Sequence, residues 1–258
     1  EDLLVQLFFP NPQPTDKWLG FVNTCVVTIL YDDQAAGAVD RDHNMDNEGT
    51  TSPPYNPNPG ANSTVYSVVA LEDGTSLIAG DFTAFNATPR NRVARLRADG
   101  QLDRGFDPGD GADGFVSTMK VDSEGRILIG GAFSSYNRTT RNGIARLQSG
   151  GALDLSFDPG VGVNGPVWSM AFSGSDLIYV AGSFDTVNAT NRNYIARLKS
   201  DGNLDSSFDP GVGPDGPIYA VAVAADGKVY IGGQFSTVNG VSRSCIARLN
   251  SDGSLDMA

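Results

Sequence analysis

The sequence predicts an all-β chain, the larger part of it a β-propeller of four-stranded antiparallel blades with a 51-residue repeat. Three observations predict it: a repeat that holds its phase over four copies, apolar runs of β type inside each copy, and turn residues at fixed offsets between them. No copy carries a helical period.

The repeat comes first. VARL at 93–96 recurs as IARL at 144–147, 195–198 and 246–249, which sets Arg95, Arg146, Arg197 and Arg248 at steps of 51. Phe82, Phe133, Phe184 and Phe235 keep the same step, as do Gly80, Gly131, Gly182 and Gly233, and Asp103, Asp154, Asp205 and Asp256. FDPG stands at 106–109, 157–160 and 208–211, and one step earlier lies a degraded copy, YNPN at 55–58. The array is therefore assigned to residues 52–258, with 36–51 as a linker and 1–35 as a separate module.

Within a copy, VYSVVAL (65–71) and its partners VSTMKV, VWSMAF and IYAVAV mix β-branched, aromatic and small residues, as a strand buried on both sides would. A turn follows at Asp73-Gly74, Glu124-Gly125 and Asp226-Gly227, replaced by Ser175-Asp176 in the third copy. The next run, SLIAGDF in the first copy, holds small residues ahead of the Phe, where neighbouring backbone must come close. A polar loop leads to the VARL or IARL strand, and LDxxFDPG supplies a short outer strand. A four-stranded unit of ~40–50 residues matches a propeller blade, because one sheet cannot bury both faces alone. A solenoid of stacked sheets is the competing arrangement. The recurring Phe is expected between blades, each contributing roughly 1.5–3 kcal/mol of burial. Read literally, the four copies close a small ring completed by the segment at Tyr55. A stretch cut from a longer array is the preferred expectation.

Composition removes several classes of function. The net charge of −12 offers no phosphate-neutralising surface, so no nucleic-acid partner is expected, and it disfavours docking on anionic lipid. No apolar run approaches the ~18–20 residues needed to span a bilayer, so no membrane insertion is expected. EDLLVQLFFP is too short and acidic for a signal peptide, so the chain is expected to start either after processing or inside a larger protein, the second being preferred. Cys25 and Cys245 fall in different modules; a disulfide between them stays open, and they do not decide the compartment.

The residues G-x-F, IARL, DGxLDxxFDPG and the V-rich strand with DGK-hydrophobic-GG resemble the delta-60 repeat, a family of bacterial β-propeller repeats, over 52–258. The resemblance implies a large secreted or surface protein and no enzymatic activity. EDLLVQLFFPNPQ followed by LGFVNTCVVTILYDDQ is similar to the closing strands of a Calx-beta domain, with Val26 to Asp33 as the last strand. That resemblance implies a partial β-sandwich at the N-terminus, without its opening strands. It also implies calcium at acidic residues ending that strand, which carries over to Asp32 and Asp33 alone. Calcium is the one cofactor expected.

Other candidate chemistry is weighed against plainer roles. The sole histidine, His43, lies in the linker with no second imidazole or thiol nearby. No Ser-His-Asp set, zinc spacing or phosphate-binding Gly loop is present, and the chain is not expected to be an enzyme. Asp103, Asp154, Asp205 and Asp256 could serve calcium. Capping a turn or pairing with a periodic arginine is preferred, because an element that repeats with the fold builds the fold. Arg95, Arg146, Arg197 and Arg248 are likewise expected to tie strands and loops within or between blades. Asn86, Asn137 and Asn188 read NAT, NRT and NAT, and Asn62 opens a fourth sequon, the mark of glycan acceptors on secreted proteins. The alternative is an asparagine wanted for a left-handed turn, which Asn239-Gly240 in the fourth copy favours.

The function expected is a non-catalytic structural or adhesive segment of a large extracellular or cell-surface protein. Its partners would be other surface or matrix proteins, copies of itself, or glycans. The alternative is a propeller that holds a glycan or small molecule at its central axis, and third comes a polysaccharide-active enzyme.

Overall fold

The computed structural model describes residues 5–8, 26–29, 60–174 and 177–257. The chain divides into two compact units, Glu1–Asp42 and His43–Ala258. In the first, β1 (Val5–Phe8) and β2 (Val26–Ile29) pair antiparallel, with Val5 opposite Ile29. Cys25, Asp32, Asp33, the linker with His43, and Tyr55 lie outside the described residues.

The second unit holds the repeats. The first blade comprises β3 (Val65–Ala70), β4 (Ser76–Gly80), β5 (Ala84–Phe85), β6 (Thr88–Pro89) and β7 (Val93–Leu96). The second comprises β8 (Phe115–Val121), β9 (Ile127–Ala132), β10 (Ser135–Tyr136), β11 (Thr139–Thr140) and β12 (Ile144–Leu147). The third comprises β13 (Val167–Ser173), β14 (Leu177–Gly182), β15 (Thr186–Val187), β16 (Thr190–Asn191) and β17 (Ile195–Lys199). The fourth comprises β18 (Ile218–Val223), β19 (Val229–Gly233), β20 (Thr237–Val238), β21 (Val241–Ser242) and β22 (Ile246–Leu249).

Each blade is a three-stranded antiparallel sheet with its second strand in the middle, and a two-residue hairpin grown from the loop after the Phe. The short outer strand contracts to a single bridge per blade: Leu96 to Leu102, Leu147 to Leu153, Leu198 to Leu204 and Leu249 to Leu255. Beyond that bridge the chain leaves the sheet at FDPG. Gly80, Gly131 and Gly182 are fixed by a close approach: a Cβ at any of them would run into the carbonyl of Thr64, Phe115 or Pro166 at the entrance of the first strand.

The hydrophobic cores lie between sheets. Leu77, Ala79 and Val93 of the first blade pack with Ile127, Ile129 and Phe133 of the second. Leu128 and Ile144 then pack with Ile178, Val180 and Phe184 of the third, and Tyr179 and Ile195 with Val229, Ile231 and Phe235 of the fourth. Alternate residues of one strand thus serve two junctions, as period-2 side-chain direction requires. The recurring Phe82, Phe133, Phe184 and Phe235 are all buried. Across blades, β3 lies beside β8, β8 beside β13, and β13 beside β18, so the first strands gather at the inner edge. This is the radial packing of propeller blades.

One expectation needs correction. The first strand is largely buried in the middle blades, where Val116, Met119, Val167 and Met170 are enclosed. In the outer two it is not: Val68 is 64% exposed, and Tyr66 and Tyr219 about half. Among the described residues the first and fourth sheets face one neighbouring sheet, not two.

Candidate functional site

The outer edge of the blades repeats one contact. Arg95, Arg146 and Arg197 donate from Nε to Asp103, Asp154 and Asp205 Oδ2, each at 2.7 Å. Each also donates from Nη1 to a carbonyl 54 residues on, in the next blade: Ser149, Ser200 and Ser251. The guanidinium lies over the ring of Phe106, Phe157 or Phe208, at 5.4, 5.0 and 5.2 Å. Arg248 pairs with Asp256 at 2.8 Å. Burial alone would raise the pKa of Asp103, Asp154 and Asp205; hydrogen bonds from Gly105, Ser156 and Ser207 and from the arginines outweigh it and hold all three low. Among the described residues no group of three or more His, Cys, Asp or Glu gathers as a metal would require.

The sequon loops are equally periodic. Asn86, Asn137, Asn188 and Asn239 adopt φ of 46, 48, 49 and 51°, at the tips of the small hairpins. Their Oδ1 atoms accept from the backbone N–H of Gly60, Gly111, Gly162 and Gly213. Asn62 occupies the position of Asp113, Asn164 and Asp215, and each of these side chains accepts from two successive N–H groups in the loop after the Phe. Burial pushes the Asp113 carboxyl up, but the Ser134 and Ser135 hydrogen bonds win and lower it to about 2.

The inner edge behaves differently. Every blade carries a β-bulge near the start of its first strand, between Val65 and Ser67, Val116 and Thr118, Val167 and Ser169, and Ile218 and Ala220. A bulge takes one residue out of the ladder and re-aims its side chain. The residues so turned are Tyr66, Ser117, Trp168 and Tyr219. Ser117 Oγ lies within hydrogen-bond distance of the Gly130 and Val167 carbonyls, and Phe115, two residues earlier, fills its place among the rings. The result is one aromatic row. Ring centroids are 5.8 Å apart from Tyr66 to Phe115, 5.7 Å from Phe115 to Trp168 and 6.4 Å from Trp168 to Tyr219. Polar tips are tethered: Trp168 Nε1 donates to Ser183 Oγ at 2.8 Å, and Tyr219 Oη to Gln234 Oε1 at 3.3 Å.

Two further positions meet the row, and there too the copies diverge. Asp81, Ala132, Ser183 and Gln234 form one set; Arg92, Gly143, Tyr194 and Cys245 form the other. The backbone brings them together, since Asp81 N donates to Thr64 O and Gly80 N to Arg92 O, with equivalent bonds in the third and fourth blades. Arg92, Tyr194 and Cys245 hold φ of 69, 65 and 63°, where Gly143 holds 69°. A left-handed conformation costs a non-glycine residue roughly 1–2 kcal/mol, so three copies keep a side chain where glycine would sit without strain. Beside Gly143, between the second and third blades, a cleft of about 700 Å³ opens, bounded by Gly114, Val163, Asn164 and Pro166. Sequence reasoning missed the row because Phe115 stands two residues out of phase with the other three.

No curated protein matches the chain. Among solved structures it is similar to the WD40 β-propeller domain of Doa1, at 15% identity and a TM-score of 0.47, over 66% of this chain and 48% of that one. It is also similar to the extracellular domain of the one component system BT4673 from B. thetaiotaomicron, at 15% identity and a TM-score of 0.43, over 67% and 21%. A third is the gluconolactonase XC5397 from Xanthomonas campestris, at 18% identity and a TM-score of 0.43, over 70% and 57%. The chain spans less than two thirds of the length of each, and such likeness concerns the fold alone. The expectation that the chain is not an enzyme is corrected on this point: one of the similar propellers is an enzyme, so that expectation is withdrawn, and no reaction is assigned in its place. No helix among the described residues is long and apolar enough to cross a membrane. The family described as a domain of unknown function (DUF5122) beta-propeller matches residues 71–106, 123–157, 178–208 and 224–258, one segment in each repeat, and this chain belongs to it.

Proposed function

We propose that the chain is a recognition segment of a large extracellular or cell-surface protein, acting through protein–protein or protein–glycan contacts at the inner edge of its blades. In this reading residues 52–258 form the recognition array, residues 1–35 are the end of a Calx-beta-like module, and 36–51 join them. The observation that carries it is the aromatic row of Tyr66, Phe115, Trp168 and Tyr219, with both end rings half exposed. Aromatic side chains with a wet tip and an apolar body are favoured where a surface must hold a partner, since they bury much area at low entropic cost. The test is retention of cells or matrix proteins on the immobilised chain. Replacing Trp168 and Tyr219 together by Ala is expected to abolish retention while the melting curve stays cooperative; full retention by that variant would reject the reading.

A further inference from the structure

We infer that the aromatic row is a binding site for a linear, neutral oligosaccharide, laid across Tyr66, Phe115, Trp168 and Tyr219 with its hydroxyls on the polar set beside them. The inference rests on the recognition reading and names its ligand.

The row has two kinds of surface side by side. One is the line of rings at 5.7–6.4 Å intervals. The other is the set Asp81, Ser183 and Gln234, two of which already accept hydrogen bonds from row side chains. Asp81 is paired with Arg92, Ser183 with Trp168 and Gln234 with Tyr219, so a ligand covering the rings meets a polar margin held in place beside them. A sugar ring meets both demands, because it has an apolar C–H face and hydroxyls around its rim. An amphipathic helix meets only the first, since its apolar face has no group to offer the polar margin of Asp81, Ser183 and Gln234.

Other ligands fit less well for separate reasons. An extended peptide binds by adding a strand to a sheet edge, but a bulge interrupts that edge in every blade. A polyproline helix repeats its contacts once per turn, about every 9 Å, against a row spaced near 6 Å. Single-stranded nucleic acid would stack on rings, but it needs a basic groove for its phosphates, and the chain carries −12. The same charge selects against uronic or sulfated sugars. One other feature of this edge agrees with a site for a ligand: Arg92 is kept at a left-handed φ of 69° beside the row, where its guanidinium holds Asp81.

The experiment is titration of the whole chain by calorimetry with neutral β-linked glucose, xylose and mannose oligosaccharides, and with an oligouronate and a proline-rich peptide as comparisons. Saturable binding of at least one neutral chain is expected, strengthening with length up to the span of the row. Trp168→Ala should weaken it at least tenfold, Trp168→Phe should keep most of it, and Tyr230→Ala, an exposed ring off the row, should leave it unchanged. Binding of the oligouronate or the peptide in place of the neutral sugars would overturn the inference, as would sugar binding indifferent to Trp168→Ala. Matrix retention measured on the same variants keeps the two readings apart. If retention falls with Trp168→Ala while no sugar binds, the ligand is wrong and the recognition surface stands; if neither changes, both are wrong.

Discussion

At the outer edge of the blades, Arg146 meets Asp154 and Phe157 as Arg197 meets Asp205 and Phe208, with the same atoms at nearly the same distances. At the inner edge, Ser117, Trp168 and Tyr219 occupy equivalent positions, and each makes a different contact. The same backbone carries both edges. Where four copies agree, the residue is needed by every junction; where they disagree on an equally fixed backbone, the side chain has been released from building the fold. Repetition therefore marks structure here, and departure from it marks the surface available for recognition.

The largest expected effect tests the first half of that contrast. Arg146 and Asp154 are both buried, so Asp154→Ala leaves a cation without its counter-ion and should cost about 3–5 kcal/mol. The first-blade pair, Arg95 and Asp103, is about a fifth exposed (23% and 21%), and Asp103→Ala should cost nearer 1 kcal/mol. Urea unfolding of the two variants checks this; equal losses would break the idea that a junction's position sets the value of its pair.

Next in size, Gly182→Ala should cost about 2 kcal/mol, because its Cβ meets the Pro166 carbonyl and must displace backbone. Thermal melts beside Gly174→Ala, where a Cβ finds open space but the φ of 63° still strains it, would separate crowding from conformation.

A broader effect comes from acid. The folded state lowers the carboxyls of Asp103, Asp113, Asp154, Asp205 and Asp215 below their ordinary 3.8. A depressed carboxylate stabilises the fold above its unfolded pKa, and that contribution disappears as pH falls through the folded one. Stability should therefore be flat from neutrality down to pH 4 and decline from there towards pH 2, the value about which Asp113 titrates. A decline centred above pH 5 in denaturant titrations would mean that other groups control it.

The smallest effects belong to the inner edge. Tyr219→Ala should cost about 1 kcal/mol or less, the worth of one aromatic pair. Cys245→Gly should be neutral or stabilising by about 0.5 kcal/mol, since relief of its left-handed φ is partly offset by the greater chain entropy of glycine. A loss above 2 kcal/mol at either residue would erase the distinction between the edges.

Much of the fold could be read from residues 60 to 257, because each turn signal and apolar run recurs in phase and four copies correct one another. The small hairpins could not, since two-residue strands such as Ala84–Phe85 and Thr88–Pro89 have no period to detect. Leu102 and its equivalents read as a strand because LD follows a turn, yet only one residue bonds before FDPG draws the chain away. The arginines and aspartates that repeat could be picked out at once, although their tie to the neighbouring blade depends on a carbonyl 54 residues further on. The row was hidden for a deeper reason. A bulge is a property of pairing between strands, and the ring completing the row comes from Phe115, which no phase relation links to Trp168.

The bonds from Arg95, Arg146 and Arg197 to carbonyls 54 residues later, and from Asp107, Asp158 and Asp209 N–H to Gly150, Asp201 and Asp252, all point forward along the chain. During synthesis, then, a module leaves the ribosome with its acceptors still unmade and is completed only when its successor emerges. Growth would proceed like masonry in which each course is locked by the one laid above it. A nick or premature stop would cost not one unit but also the finish of the unit before it.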